Sequence, residues 1–169
     1  MSELDTLFEQ VSDALRNQNP ERARDLCAQA RQHAPDDARF VMLHGFALRR
    51  AGDYIGAEPL LRRTLNTEPS LDIAHHELGL ALQGLGRLTE ARRSLEQAVS
   101  LNPKLTAAWR DLYEVRAAEG DDVGAAEAYR NAMGNNELDP LLHKALELVG
   151  QGRLGVAEGI CREYLKRRP

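Results

Sequence analysis

The chain has 169 residues, 43% of them hydrophobic and 28% charged, with a formal net charge of −4. That length allows one ordinary domain with ample core, and the charge balance gives no global basic field of the kind that draws nucleic acid. No apolar run is long enough to span a bilayer, and Met1-Ser2-Glu3 with Asp5 lacks the basic and apolar regions of a secretory leader, so no membrane or nucleic-acid partner is expected and the place of action is read as cytoplasmic.

The predicted elements are helical hairpins that follow one another along the chain. In the first, residues 4–35, Asn19-Pro20 supplies a cap and a first-turn proline, and the second helix carries Ala23, Cys27 and Ala30 before Pro35. In the second, residues 36–69, the first helix bears Val41, Gly45 and Leu48 on one face, Gly52 stops it, and Asp53 caps a second helix carrying Ala57, Leu60, Leu61, Thr64 and Leu65 before Pro69. Pro59 lies inside that second helix, cannot donate to the Ile55 carbonyl, and predicts a bend or widened first turns. The third, residues 70–103, repeats the columns as Leu78, Gly79, Gly86, Ala91, Leu95, Ala98 and Pro103. The fourth, residues 104–137, has Trp109, Leu112, Gly120, the capping Asp121, Ala125, Tyr129 and Ala132, but Tyr113 stands in the glycine column and Glu137 in the proline column. In the fifth, residues 138–169, Gly152 and Ala157 follow Gly120 and Ala125 by 32 residues rather than 34. The shortfall lies in Gly134-Asn135-Asn136-Glu137-Leu138-Asp139-Pro140, whose last two residues read as a fresh cap and helix start.

A fixed 34-residue period, as in Ala23, Ala57, Ala91 and Ala125, means a stack of like supersecondary units that bury apolar faces on one another. The glycines at 52, 86 and 120 sit where a helix needs a left-handed terminal residue. The alanine column and Gly45/Gly79 mark places where two helices cross closely, with Leu61, Leu95, Leu78 and Leu112 filling the space beside them. Such a stack biases the reading towards binding and away from catalysis.

No catalytic constellation is legible. His75-His76-Glu77 invites a metal or acid–base reading, but adjacent helical residues point about 100° apart and cannot converge on one ion. The glycines are helix stops, not a phosphate-cradling loop, so no cofactor is expected. Cys27 and Cys161 occupy equivalent places in the first and last hairpins, too far apart for a disulfide, and read as small buried residues in a reducing compartment. Arginine outnumbers lysine 19 to 3, a skew associated with bacterial genomes rich in G and C.

A second helical face stands apart from the packing face. On the first helix of the second hairpin it holds Arg39, Met42, Phe46 and Arg49; on the third, Ile73, His76, Leu80 and Gln83; on the fourth, Ala107, Arg110, Glu114 and Ala117. Met42 and Phe46 are apolar where exposure is expected, with arginines around them. Two readings stay open: a ligand groove, or side chains that merely pack between first helices.

These columns resemble the tetratricopeptide repeat, best in the third hairpin with Leu78-Gly79, Leu82, Ala91, Leu95, Ala98 and Pro103. The resemblance implies an all-α, right-handed α-solenoid of about five tandem helical hairpins, one repeat domain over residues 1–169. It also implies that the second face is concave and binds extended peptides or helices. Peptide-groove candidates are therefore Arg39, Met42, Phe46, Arg49, Ile73, His76, Leu80, Gln83, Arg110 and Glu114. Family members that hold an acidic C-terminal tail use a lysine- and asparagine-rich clamp. Phe8, Ser12, Met42, Phe46, His76, Leu80, Arg110 and Glu114 do not match it, which argues against a heat-shock chaperone tail. The stretch from Ala108 to Arg130 with Gly152 to Pro169 is also similar, on mostly general repeat residues, to the N-terminal repeats of bacterial tetratricopeptide sulfotransferase-like proteins.

Two functions follow: a non-catalytic scaffold for a protein or peptide partner, or the docking region of a larger sulfotransferase-like enzyme. The last helix offers Val156, Ile160, Tyr164 and Leu165, more apolar surface than a solenoid cap should leave. The expectation is that the protein continues past Pro169 or self-associates through its C-terminal hairpin.

Overall fold

Helix ends are set by side chains at the positions the sequence marks. Asn19 Oδ1 accepts from the Arg22 amide at 3.1 Å, with Pro20 in the first turn of the helix it opens. Asp53 and Asp121 do the same for the Gly56 and Gly124 amides, each at 2.9 Å. Each satisfies one of the donors that a helix start leaves open. Four glycines, at 52, 86, 120 and 152, have φ of +71 to +84°, the left-handed geometry that ends a helix. In the first hairpin Gln18 takes that place with φ +54°.

The computed structural model describes residues 2–133 and 140–166, with side chains described over 2–133 and 144–162. Among the described residues there are ten α-helices and no strand. The chain divides into two compact units, Met1–Leu101 and Asn102–Pro169.

The first unit stacks three antiparallel pairs: α1 (Glu3–Arg16) with α2 (Pro20–His33), α3 (Ala38–Arg50) with α4 (Tyr54–Thr67), and α5 (Asp72–Gly84) with α6 (Leu88–Leu101). Each first helix also touches the second helix of the pair before it, α3 on α2 and α5 on α4. Phe40, Leu61, Leu82 and Leu95 are fully buried, each contributing roughly 1.5–3 kcal/mol by leaving water. The small columns let the backbones approach. A Cβ on Gly45 would meet Leu61 Cγ at 3.1 Å, and one on Gly79 would meet Leu95 Cγ at 2.7 Å. α4 continues through Pro59, which is exposed. Ile55, whose carbonyl loses its donor there, is 78% exposed and open to water.

The second unit holds α7 (Thr106–Ala118) with α8 (Asp122–Met133), and α9 (Pro140–Gly150) with α10 (Leu154–Lys166). Its buried residues are smaller: Ala108, Leu112, Val115 and an alanine-rich α8, then Ala145, Leu148 and Ala157. Helix α9 begins at Pro140 as expected; Gly134–Asp139 lie outside the described residues. Of the last-helix residues, Val156 is exposed and Ile160 packs on Ala145, Leu148 and Ala157, while the side chains of Tyr164 and Leu165 lie outside the described set.

Candidate functional site

The expected groove residues fall on α3, α5 and α7, and their surroundings differ. Met42 and Phe46 are half-buried and pack against a core shared by α1, α2 and α3 that includes Leu7, Val11 and Phe40. Arg39 leans on two phenylalanines, its guanidinium 5.5 Å from the Phe8 ring centre and 5.8 Å from Phe40. It also donates to Asp37 Oδ2 at 2.7 Å and lies 3.7 Å from Asp5. The hydrogen bond from Arg39 is the main reason the Asp37 carboxyl sits below its ordinary range.

Arg49 is the least available of the set. Its Nε donates to Glu77 Oε2, linking α3 to α5, and Glu77 is only 4% exposed. A buried carboxylate needs such a partner, because an unpaired charge in the interior is costly. Arg49 therefore holds the two first helices together before it can meet a ligand. On α5, Ile73 is 46% exposed, and His76, Leu80 and Gln83 are half-buried. In the second unit Arg110 and Glu114 are both exposed on α7, with Arg110 Nε 3.7 Å from Asp111.

The His75-His76-Glu77 run spreads as helical geometry requires. The ring of His75 reaches the Pro69 carbonyl oxygen, 2.9 Å from Nε2, which fixes Nε2 as the protonated nitrogen since a carbonyl only accepts. Glu77 serves Arg49 instead. Among the described residues no group of three or more His, Cys, Asp or Glu is placed to hold a metal ion. No described helix is long and apolar enough to cross a membrane. Cys27 is fully buried and burial pushes its thiol up to about 12, whereas Cys161 is only half-buried, which corrects the expectation that both are core residues.

Sequence reasoning missed several devices. Trp109, 34 residues after His75, repeats its bond by donating from Nε1 to the Pro103 carbonyl at 2.9 Å. Arg62 on α4 and Arg87, just before α6, both bridge Glu58 and Glu90, at 2.7–3.0 Å. Burial works to raise the Glu58 carboxyl, but its hydrogen bonds from Arg62 and Arg87 outweigh that and hold it low. Charge alternation gave a signal for these pairs, but not their partners one repeat away.

Two family models described as Tetratricopeptide repeat match residues 8–70 and 73–105, together more than half of the chain. Human Tetratricopeptide repeat protein 7A is 25% identical over 140 residues, 82% of this chain but 16% of that protein, so the chain spans about a sixth of its relative. Among solved structures, MamA 41-end from Desulfovibrio magneticus RS-1 superposes with a TM-score of 0.71 at 21% identity, covering 78% of this chain and 74% of that one. MamA AMB-1 gives 0.66 at 25%, covering 81% and 79%. The O-GlcNAc transferase mutant K341M of Thermobaculum terrenum gives 0.65 at 25%, covering 75% of this chain and 26% of that one. With its helical hairpins, left-handed glycine stops and small crossing columns, this chain belongs to the tetratricopeptide-repeat family, an all-α solenoid fold of protein-interaction scaffolds.

Proposed function

We propose that this chain is a non-catalytic scaffold that captures a peptide or helix of a partner protein on the first-helix face of α3 and α5. The observation that supports it most is the apolar surface left partly open on these helices: Ile73 is 46% exposed, and Leu80, Met42 and Phe46 are half-buried. Open apolar side chains on a binding fold are where a partner gains most by excluding water. Arg39 and Arg49 frame that surface while tied to Asp37 and Glu77, so their part is to hold its shape. Arg110 and Glu114 are the candidate contacts of the second unit. The test is pull-down with the double variant Ile73→Ala, Gln83→Ala, which leaves the Arg49–Glu77 pair intact. Partner capture falls while helicity by circular dichroism is unchanged; full capture by the variant overturns the reading.

A second reading, docking region of a larger bacterial sulfotransferase-like enzyme, is favoured by one finding. The matching transferase chain is much longer than this one, which covers 26% of it. Sequencing the gene beyond the Pro169 codon decides: an α/β domain with a phosphate-binding loop supports it, and a stop codon removes it.

A further inference from the structure

Tyr113 and Tyr129 occupy the columns that hold Gly79 and Leu95 one repeat earlier, and Gly45 and Leu61 one before that. In the earlier hairpins a leucine closes the crossing against bare backbone. Two phenol rings cannot do so. They lean on each other instead, with ring centres 5.6 Å apart and planes tilted by 58°. Beside them opens a groove of about 400 Å³, walled by Tyr113, Tyr129, Leu146, Val149, Leu154 and Asp122 among others, all within the second unit. Tyr113 is 38% exposed and Leu154 49%.

The described walls of this groove carry acidic charge, and Arg130 and Arg153 stand outside them. Asp122 is the single charged side chain among the described walls. Glu114 and Asp121 stand exposed on the same hairpin, and Arg116, bonded to the Gly124 carbonyl and Glu127, lies 4.0 Å from Asp121. A basic group therefore meets the Asp122 carboxylate at the wall, and an apolar group meets aromatic and aliphatic side chains. The volume lies at the lower end of the range for ligand pockets, roughly 300–1,000 Å³, and so takes a partner's side chains rather than its backbone.

We propose that this groove docks a short segment of a partner protein that presents an apolar side chain with a lysine or arginine one helical turn away. The apolar side chain enters between the tyrosine faces and Leu146, and the cation meets Asp122, with the tyrosine rings available for cation–π contact. The proposal rests on the scaffold reading but not on the α3/α5 face.

Calorimetric titration of the full chain with a 14-residue amphipathic peptide of leucine and lysine tests it, against the same peptide with glutamate for lysine. The lysine peptide binds tighter by about tenfold or more, as complementary charge at a docking rim should give. Asp122→Lys reverses the order, and Leu154→Asp, at a half-exposed site that spares the core, weakens both. Methyl NMR shifts gather at Leu146, Val149 and Leu154. Equal affinities for the two peptides, indifference to Asp122→Lys, or shifts gathered at Ile73 and Leu80 overturn the proposal. So does a sedimenting dimer that Leu154→Asp dissolves, since a second copy then fills the groove. If the peptides ignore the groove while Ile73→Ala, Gln83→Ala still loses capture, this proposal falls and the scaffold reading stands.

Discussion

The third and fourth hairpins solve the same crossing with opposite chemistry. In α5/α6, Gly79 and Leu95 interlock so tightly that even a methyl on Gly79 would meet Leu95 Cγ at 2.7 Å. In α7/α8, Tyr113 and Tyr129 meet at a tilt beside open space. The first arrangement commits its whole volume to stability. The second leaves aromatic surface unused by the fold, and a repeat protein can spare such surface because each hairpin contacts mainly its neighbours.

That contrast can be broken by substitution, followed by chemical denaturation. Leu95→Ala has the largest effect, about 2–5 kcal/mol, because the bare backbone of Gly79 has no side chain to fill the cavity. Glu77→Ala follows at about 2–3 kcal/mol, below a fully buried pair because Arg49 retains some exposure and can rehydrate. Changing both residues to leucine recovers most of that loss. Gly79→Ala and Ala91→Leu overpack the same crossing and cost about 1–3 kcal/mol each. Tyr129→Ala costs least among these, about 1 kcal/mol, since its partner ring is part exposed and the groove is already open. Equal costs for Leu95→Ala and Tyr129→Ala would erase the distinction between the hairpins.

A pH effect, smaller again, belongs to the first unit. Burial, then Arg31 and Arg24, hold the His44 pKa below its ordinary 6.5, against a weaker opposing pull from Asp53. Arg31 Nη1 lies 3.2 Å from His44 Nδ1, so Nδ1 accepts and the ring is neutral. The unfolded chain then binds the proton more readily than the folded one. This contribution is complete above pH 6.5 and is lost as pH falls from there towards the lower folded value. His44→Gln should flatten that part of the stability curve relative to the parent chain, measured as the difference between the two.

Much of the fold was legible because its determinants are local and recur. Glycine at a left-handed position, aspartate before a helix and alanine at a crossing each act within a few residues, and a 34-residue period displays them repeatedly. The candidate face was legible as a pattern and not as an environment. Arg49 and Glu77 lie 28 residues apart, an offset that is neither a helical turn nor the repeat, so the arginine looked free for a ligand until its partner was placed. Tyr113 was visible as a departure from glycine, but only the packing pairs it with Tyr129.

The ring-to-loop bonds of His75 and Trp109 carry a practical consequence. Trp109 is the single tryptophan of the chain and belongs to the second unit. Its indole N–H is tethered to the Pro103 carbonyl. Indole emission, excited at the red edge where tyrosine is dark, therefore reports on that one loop, whereas circular dichroism averages over every helix. The protein carries its own optical label for one of its two units, and unfolding followed in both channels needs no dye to tell when that loop lets go.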